Sequence, residues 1–262
     1  MVSITEGKFI DTNIAFDAVY LNRKRHKRTL DFLSDFKSRQ VKLSQQVVVE
    51  IEEILAESFA LLSAKVRDYI KHLEKTKRGW DKLDSGERAK ALVDIEKMLS
   101  NDKEIIKKNR GTFILTAFNN ISNALMTMSF EEIQEDLLHL ASDNGQNVMI
   151  RIISLFPTVE YKREIDDATD LRKAIEKGTI TRFFNENGHG KDKEILSELI
   201  MILAFGSKDE FYSEIEFFTC DTDFVEIYGN YRENECTTND ETDPHKLLLT
   251  KTLKSLSICA PY

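Results

Sequence analysis

The stretch FIDTN, residues 9 to 13, decides how the start of the chain folds and raises the question of function. Phe9 and Ile10 are typical of the end of a buried strand, and an acid, a hydroxyl and an amide follow them directly. Asp and Asn form turns and cap helices, so Asp11 and Asn13 have a purely structural interpretation. A functional interpretation needs support from the rest of the sequence.

The composition indicates a globular chain with a heavily charged surface. Hydrophobic residues make up 41% and charged residues 31% of the 262 residues. No apolar run reaches the ~18 residues of a membrane span, and the N-terminus lacks the apolar segment of a signal peptide. The three cysteines, Cys220, Cys236 and Cys259, fit neither a disulfide framework nor a zinc site. We therefore expect a cytoplasmic protein without a membrane partner.

The charge of the chain restricts the ways in which it can bind nucleic acid. The formal net charge is -8, which argues against a protein that coats nucleic acid through bulk electrostatics. A local basic groove beside an acidic site stays compatible with this charge. The basic run RKRHKR, residues 23 to 28, has two interpretations: a surface that holds a phosphate backbone near Asp11, or a solvated helix face.

Hydrophobic periodicity indicates strands towards both ends of the chain and helices between them. Strands are predicted at 7–11, 41–44 and 215–224, where apolar residues alternate or run together. A long helix is predicted after Ser44, and residues 80–175 are predicted to be helical throughout. The economical fold is an α/β core with a helical insertion of roughly a hundred residues.

Local signals support several of these helices. The apolar face of the long helix is predicted to contain Phe59, Leu62, Val66, Tyr69 or Ile70, and Leu73. Capping boxes are predicted at Asp84 with Glu87 and at Ser129 with Glu132. The stretch DKEILSELIMILAF predicts a late helix, and the polar C-terminal tail carries one last helix or strand in HKLLLTKTLKSL.

Acidic residues follow the predicted strands or open the helices beside them. They are Asp11, Glu50, Asp192, Asp221 and Asp223. In open parallel sheets, ligands bind just beyond the carboxyl ends of the strands, so acids from separate segments can converge there. Packed carboxylates stay ionised beside a positive charge, and Mg²⁺ and Mn²⁺ prefer carboxylate oxygens and water. Such an ion activates water and stabilises charge on a phosphate, which is the chemistry of phosphodiester hydrolysis.

Each of these acids also has a structural interpretation. The chain has 45 acids, so some follow strands by chance. Asp192 suits a helix start because the helix dipole favours a negative charge there, and Glu50 shares a charged helix face with Glu52 and Glu53. It is the conjunction of the acids, in order along the chain, that points to a metal site.

Four motifs, taken in order, connect the chain to a known family. They are FIDTN, LSQQVVVEIEEIL, GHGKDKEILSELIMIL and FFTCDTDF. Their order, their strand and helix contexts and their residue types resemble those of the PIN-domain nucleases. The pattern around Lys191 and Asp192 is similar to PIN-like branches that carry a long helical insertion. The resemblance covers roughly residues 7–57 and 188–228.

The resemblance implies an α/β fold with a PIN-like core, in which helices flank a central parallel sheet, and a large all-helical insertion. The core would comprise residues 1–57 and 188–262, and the insertion residues 58–187. The insertion would shape a substrate channel, bind a partner or form the contact of a homo-oligomer.

The resemblance also implies roles for individual residues. The catalytic acids and metal ligands would be Asp11, Glu50, Asp192 and Asp221, supported by Asn13, Thr219 and Asp223. Glu53 stays open as an alternative to Glu50, which is preferred because it lies closer to the helix start and so to the strand ends. Near Asp192, the candidates for binding substrate phosphate are Lys177, Arg182 and Lys191.

The activity that the resemblance implies is a Mg²⁺- or Mn²⁺-dependent phosphodiesterase. Most PIN-like proteins act on RNA, so an endoribonuclease is expected, with DNA left open as a substrate. Two other functions stay open as well. One is a PIN-like scaffold that binds RNA or protein without cutting, and the other is a helical interaction protein whose acids lie on its surface.

Overall fold

The computed structural model describes seven segments of the chain: residues 3–36, 40–76, 79–161, 166–177, 180–185, 190–237 and 244–262. The chain divides into two compact units. Unit 1 comprises Met1–Glu50 and Ile152–Tyr262, and unit 2 comprises Ile51–Arg151.

Unit 1 contains a parallel β-sheet. Within the described residues its strands are β1 (Ser3–Ile10), β2 (Val41–Ser44), β3 (Thr158–Val159), β4 (Glu210–Phe218) and β5 (Leu256–Cys259). Their order across the sheet is β3-β2-β1-β4-β5, and every neighbouring pair is parallel. The predicted α/β class with a central parallel sheet is confirmed.

Helices connect and flank these strands. In chain order the described helices are α1 (Thr12–Val19), α2 (His26–Ser34), α3 (Gln45–Thr76), α4 (Ser85–Asn101), α5 (Lys103–Lys107), α6 (Gly111–Leu125), α7 (Phe130–Leu155), α8 (Asp166–Lys177), α9 (Ile180–Asn185), α10 (Gly190–Phe205), α11 (Thr222–Thr237) and α12 (Pro244–Lys254). Neighbouring parallel strands need crossover connections of this kind. None of the described helices is both long enough and apolar enough to cross a membrane.

The helical insertion predicted at 58–187 differs from unit 2 at both ends. Unit 2 is Ile51–Arg151, so residues 152–187 belong to unit 1. The reason is strand β3, which pairs in parallel with Leu43 and Ser44 of β2. The prediction that residues 80–175 are helical throughout is wrong at this strand, because two residues are too few to show a strand period.

Strand β1 runs beside β4 along its whole length and ends with Ile10 opposite Phe218. The carboxyl ends of these two strands therefore lie side by side. Phe9 and Ile10 are fully buried, as the first strand motif predicts. Gly7 allows the close approach of the strands, because a Cβ at this position would lie 2.8 Å from Cδ1 of Tyr212.

Strand β4 begins and ends earlier than the predicted 215–224. Its polar first half is extended because it pairs with the first residues of β1, and an apolar pattern does not reveal such pairing. The strand ends at Phe218, and three residues later Asp221 caps helix α11. The sequence pattern did not predict this helix. Helical spacing is nevertheless present among the buried residues of α11, namely Phe224, Tyr228 and Tyr231.

Unit 2 is helical and contains a fully buried Trp80 in a single 3₁₀ turn, Trp80–Lys82. The indole N–H of Trp80 donates to the Met128 carbonyl at 3.0 Å, and the Arg88 guanidinium lies 5.2 Å from the ring centroid. Both predicted capping boxes are confirmed, at Asp84 with Glu87 and at Ser129 with Glu132. The predicted apolar face of α3 is confirmed by the burial of Phe59, Leu62, Val66, Ile70 and Leu73.

Candidate active site

The strand order gives the carboxyl ends of β1 and β4 a special position in the sheet. After β1 the chain forms β2 and β3 on one side, and it later forms β4 and β5 on the other. Parallel sheets bind ligands in the crevice at the point where the strand order reverses in this way. The Asp11 backbone N–H donates to the Phe218 carbonyl at 2.9 Å, so the two strand ends are joined directly.

Asp11 is held at this point by hydrogen bonds to both carboxylate oxygens. Its Oδ1 accepts the backbone N–H of Thr12 at 2.7 Å, and Asp11 is the N-cap of α1. Its Oδ2 accepts the hydroxyl of Thr219 at 2.9 Å, a residue 208 positions away. Only 6% of Asp11 is exposed. The capping interpretation of FIDTN is therefore correct, and it accounts for one of the two oxygens.

Glu50 reaches the same place from helix α3. The Thr12 hydroxyl donates to Oε2 of Glu50, whose side chain is half-buried. Thr12 therefore joins two carboxylates, since its N–H binds Asp11 and its hydroxyl binds Glu50. Glu53, the alternative second acid, has an exposed side chain.

Asp192 adds a third carboxylate from the first turn of α10, where its side chain is half-buried. The pKa of Asp11 is raised to about 7, first by burial and then by the negative charge of Glu50. Hydrogen bonds from Thr219 and Thr12 act in the opposite direction, and Asp192 raises this pKa further. Two acids that lie far from Asp11 in the sequence therefore act on it at the end of β1.

Asp221, the predicted fourth acid, is the cap of helix α11. Its Oδ1 accepts the backbone N–H groups of Asp223 at 2.9 Å and of Phe224 at 3.2 Å. Its own N–H donates to the Thr219 hydroxyl at 3.0 Å, and that hydroxyl is the one bound to Asp11. Thr219 thus connects Asp221 to the acid cluster through one oxygen. Asp223 is exposed in the first turn of α11.

The predicted phosphate-binding residues are described to different extents. Lys191 is exposed in the first turn of α10, next to Asp192 in the chain. Lys177 ends α8 and Arg182 lies in α9, but both side chains are outside the part of the chain that the structure describes.

Asp17 is a buried acid that the sequence interpretation missed. It is 1% exposed and forms ion pairs with Arg23 and, at 2.9 Å, with Arg25. Its backbone carbonyl lies 2.6 Å from Nδ1 of His26, and Arg23 also donates to Oδ1 of Asn13 at 3.4 Å. The available signal was an acid inside the apolar stretch AFDAVY, just before a basic run. Two cations of that run are therefore structural.

Glu198 is a second buried acid to which the sequence analysis assigned no role. It is 5% exposed, and its Oε2 accepts the backbone N–H of Gln46 at 2.7 Å, in the first turn of α3. Burial raises the pKa of Glu198, while its hydrogen bonds to Gln46 and Ser44 act in the opposite direction. A lone acid in the apolar stretch ILSELIMIL was the signal. Glu198 fixes the start of the helix that carries Glu50.

The donor chemistry of this cluster suits a hard divalent cation, since the buried Asp11 and the half-buried Glu50 and Asp192 offer carboxylate oxygens. Among the described residues, no group of three or more His, Cys, Asp or Glu side chains is arranged to hold a metal ion as it stands. Mg²⁺ commonly binds through one or two carboxylates, with water and substrate phosphate completing its shell. The residues therefore fit an ion of this kind without forming a closed cage.

Comparisons with protein-family models, with curated proteins and with solved structures find no match to this chain.

Proposed function

We propose that this chain is a Mg²⁺- or Mn²⁺-dependent nuclease that hydrolyses phosphodiester bonds, with RNA as its substrate. The observation that carries the proposal is the buried Asp11 carboxylate at the reversal point of the sheet, which Thr12 joins to Glu50 and whose pKa Glu50 and Asp192 help to raise. A buried carboxylate with two further acids beside it destabilises a fold unless a cation compensates for their charge. The order of the four sequence motifs, which resembles that of PIN-domain nucleases, and the parallel α/β sheet support the proposal.

The residues of the chain would have distinct tasks in this reaction. Asp11 and Glu50 would hold the cation, and Asp192 would add negative charge from the first turn of α10. A bound divalent ion supplies an activated water and neutralises charge on the phosphate. The hydroxyls of Thr12 and Thr219 keep two of these carboxylates in fixed orientations, because each donates a hydrogen bond to one of them. Lys191, exposed beside Asp192, would contact the substrate phosphate.

A cleavage assay tests this proposal. Labelled single-stranded RNA and DNA of the same sequence are incubated with the protein in Mn²⁺, Mg²⁺ or EDTA. We expect cutting of RNA with either ion, none in EDTA, and none by Asp11→Asn. Asp209→Asn is the matched control, because Asp209 is an exposed acid just before β4, at the opposite edge of the sheet. Equal cutting by wild type and Asp11→Asn would refute the proposal.

A second candidate is a scaffold that binds RNA without cutting it. It is favoured by one observation, the lack of a preformed three-residue metal group among the described side chains. A scaffold has no requirement for a cation at Asp11. The two functions therefore differ in the melting temperature of the protein, which Mn²⁺ should raise for the nuclease and leave unchanged for the scaffold.

A further inference from the structure

The basic run at residues 23–28 is divided by the fold into two sets of cations. Arg23 and Arg25 are bound to the buried carboxylate of Asp17. The remaining cations, Lys24, Lys27 and Arg28, are exposed, and no ion pair holds them within the described part of the chain. These three residues are called the basic surface below.

The segment that carries the basic surface lies at the same edge of the sheet as the acid cluster. On one side, Arg23 donates to Oδ1 of Asn13, two residues after Asp11, at 3.4 Å. On the other side, the hydroxyl of Tyr262 lies 3.3 Å from Thr29 Oγ1 and 3.6 Å from Cys220 Sγ. These contacts fix the start of α2 beside the ends of β1 and β4.

The charges of α2 are arranged against the stability of the helix. Lys27 and Arg28 occupy its first turn, which has no acid, and the N-cap residue Arg25 makes no side-chain cap hydrogen bond. Asp35 is the C-cap, and no basic residue lies in the last turn. Cations at the start and acids at the end of a helix both oppose its dipole. If α2 only presented a solvated face, nothing would favour this charge pattern, which is the reverse of the one that stabilises a helix. A surface that binds an anion explains why the cations are at the start of α2.

We propose that the basic surface, Lys24, Lys27 and Arg28, binds the sugar-phosphate backbone of a single-stranded nucleic acid and guides it to the acid cluster. This inference rests on the proposed function, since a nuclease with a net charge of -8 needs a local attraction for its polyanionic substrate. A single strand is favoured over a duplex because Asp11 is 6% exposed, and a flexible strand can bend a phosphodiester into such a crevice. Asp17 has a supporting part, because its ion pairs fix the segment around Lys24.

Binding of a labelled 20-nucleotide single-stranded RNA tests the proposal, measured by fluorescence anisotropy in EDTA so that no cutting occurs. The test variant combines Lys24→Ala, Lys27→Ala and Arg28→Ala. The control variant combines Lys208→Ala, Lys251→Ala and Lys254→Ala, which removes the same charge from exposed positions near the starts of β4 and β5, at the opposite edge. Single-stranded DNA and duplex RNA of the same sequence form two further arms.

The test variant should bind single strands about tenfold more weakly than wild type, and the control variant within about twofold. The slope of log affinity against log salt should fall by about 2 for the test variant, since each lost contact to a single strand removes roughly 0.7. The test variant should also melt no lower than wild type, because its three cations do not stabilise α2. Unchanged binding, or an equal loss in the control variant, would overturn the inference, and tighter binding of the duplex would overturn its single-strand part.

The outcome separates this inference from the proposed function. If the test variant loses binding and the wild type cuts no nucleic acid with Mn²⁺, the binding inference is supported and the nuclease function is refuted. If the wild type cuts RNA and the test variant cuts it with the same KM, the nuclease function is supported and the binding inference is refuted. If the wild type binds neither RNA nor DNA, the binding inference is refuted.

Discussion

The hydroxyl of Thr219 donates to Oδ2 of Asp11 at 2.9 Å across 208 positions of the chain. The hydroxyl oxygen of Thr219 also accepts the backbone N–H of Asp221 at 3.0 Å. Thr219 and Asp11 are both buried, so water is not a ready replacement for the bond between them. One hydroxyl therefore fixes the orientation of the central carboxylate and the start of the segment that leads to α11.

Thr219→Val keeps the shape of the side chain and removes its hydroxyl. We expect the free energy of unfolding to fall by about 1–3 kcal/mol, because the buried Asp11 carboxylate loses a donor and the Asp221 N–H loses an acceptor. Urea denaturation measures this change. Thr219→Ser keeps the hydroxyl and serves as the control, with a smaller loss. A Val variant as stable as wild type would show that the bond does not hold the site together.

The pKa of Asp11 predicts how stability depends on pH in the metal-free protein. The pKa of Asp11 is raised from 3.8 to about 7 in the folded state, so protonated Asp11 adds to the free energy of unfolding. This stabilisation is fully present below about pH 4 and is lost as the pH rises through 7. Asp11→Asn has no such titration. In EDTA at pH 8 it should be more stable than wild type by about 2–4 kcal/mol, and this advantage should disappear near pH 4.

The measurement is denaturant unfolding of both proteins at a series of pH values in EDTA, with Asp209→Asn as the control for an exposed acid. Mn²⁺ should reduce the advantage of the Asn variant at pH 8, because the ion compensates for the charge of Asp11 in the wild type. A stability difference that is constant from pH 4 to 8 would contradict the raised pKa.

The two candidates for the second acid can be separated by matched variants. Glu50→Gln should lower cleavage by more than about 100-fold, because Glu50 is the acid that Thr12 binds and that raises the Asp11 pKa. Glu53→Gln should leave the rate nearly unchanged, since its side chain is exposed. Single-turnover cleavage rates of both variants decide the matter, and the reverse result would assign the second position to Glu53.

Glu198 positions Glu50 through the start of α3, where it accepts the N–H of Gln46 at 2.7 Å. Glu198→Ala removes this acceptor and should lower the cleavage rate by about tenfold, as expected for a residue that orients a metal ligand. Glu198→Gln keeps a carbonyl oxygen at the same place and should restore most of the rate. Mn²⁺ affinity measured on both variants tests the positioning role, which is wrong if Gln and Ala behave alike.

The sequence pattern predicted the apolar parts of the fold well. Phe9 and Ile10 marked the end of β1, and Ser44 marked the start of α3, because buried strands and caps leave local signals. Strand β3 was missed because it has only two residues and depends on its neighbour β2. Helix α11 was missed because its three buried aromatics are separated by polar residues.

The sequence pointed to several of the acids of the candidate site, and it did not reveal the hydrogen bonds that connect them. Asp11 and Asp192 stand at a strand end and a helix start, which are visible in a sequence. The bonds of Thr219 and Glu198 join segments that only the strand order brings together. Asp17 was missed because its two partners, Arg23 and Arg25, look like surface cations in the sequence. Only the folded backbone brings them to the buried carboxylate that they neutralise.

A Mn²⁺ titration followed by electron paramagnetic resonance tests the central claim most directly, because the signal of free Mn²⁺ falls when the ion is bound. Wild type and Asp209→Asn should both bind Mn²⁺ at a site that Mg²⁺ competes for, and Asp11→Asn should lose that site. Binding that is equal in the wild type and the Asp11→Asn variant, or absent in the wild type, would contradict the claim that the acids at the end of β1 form a metal centre.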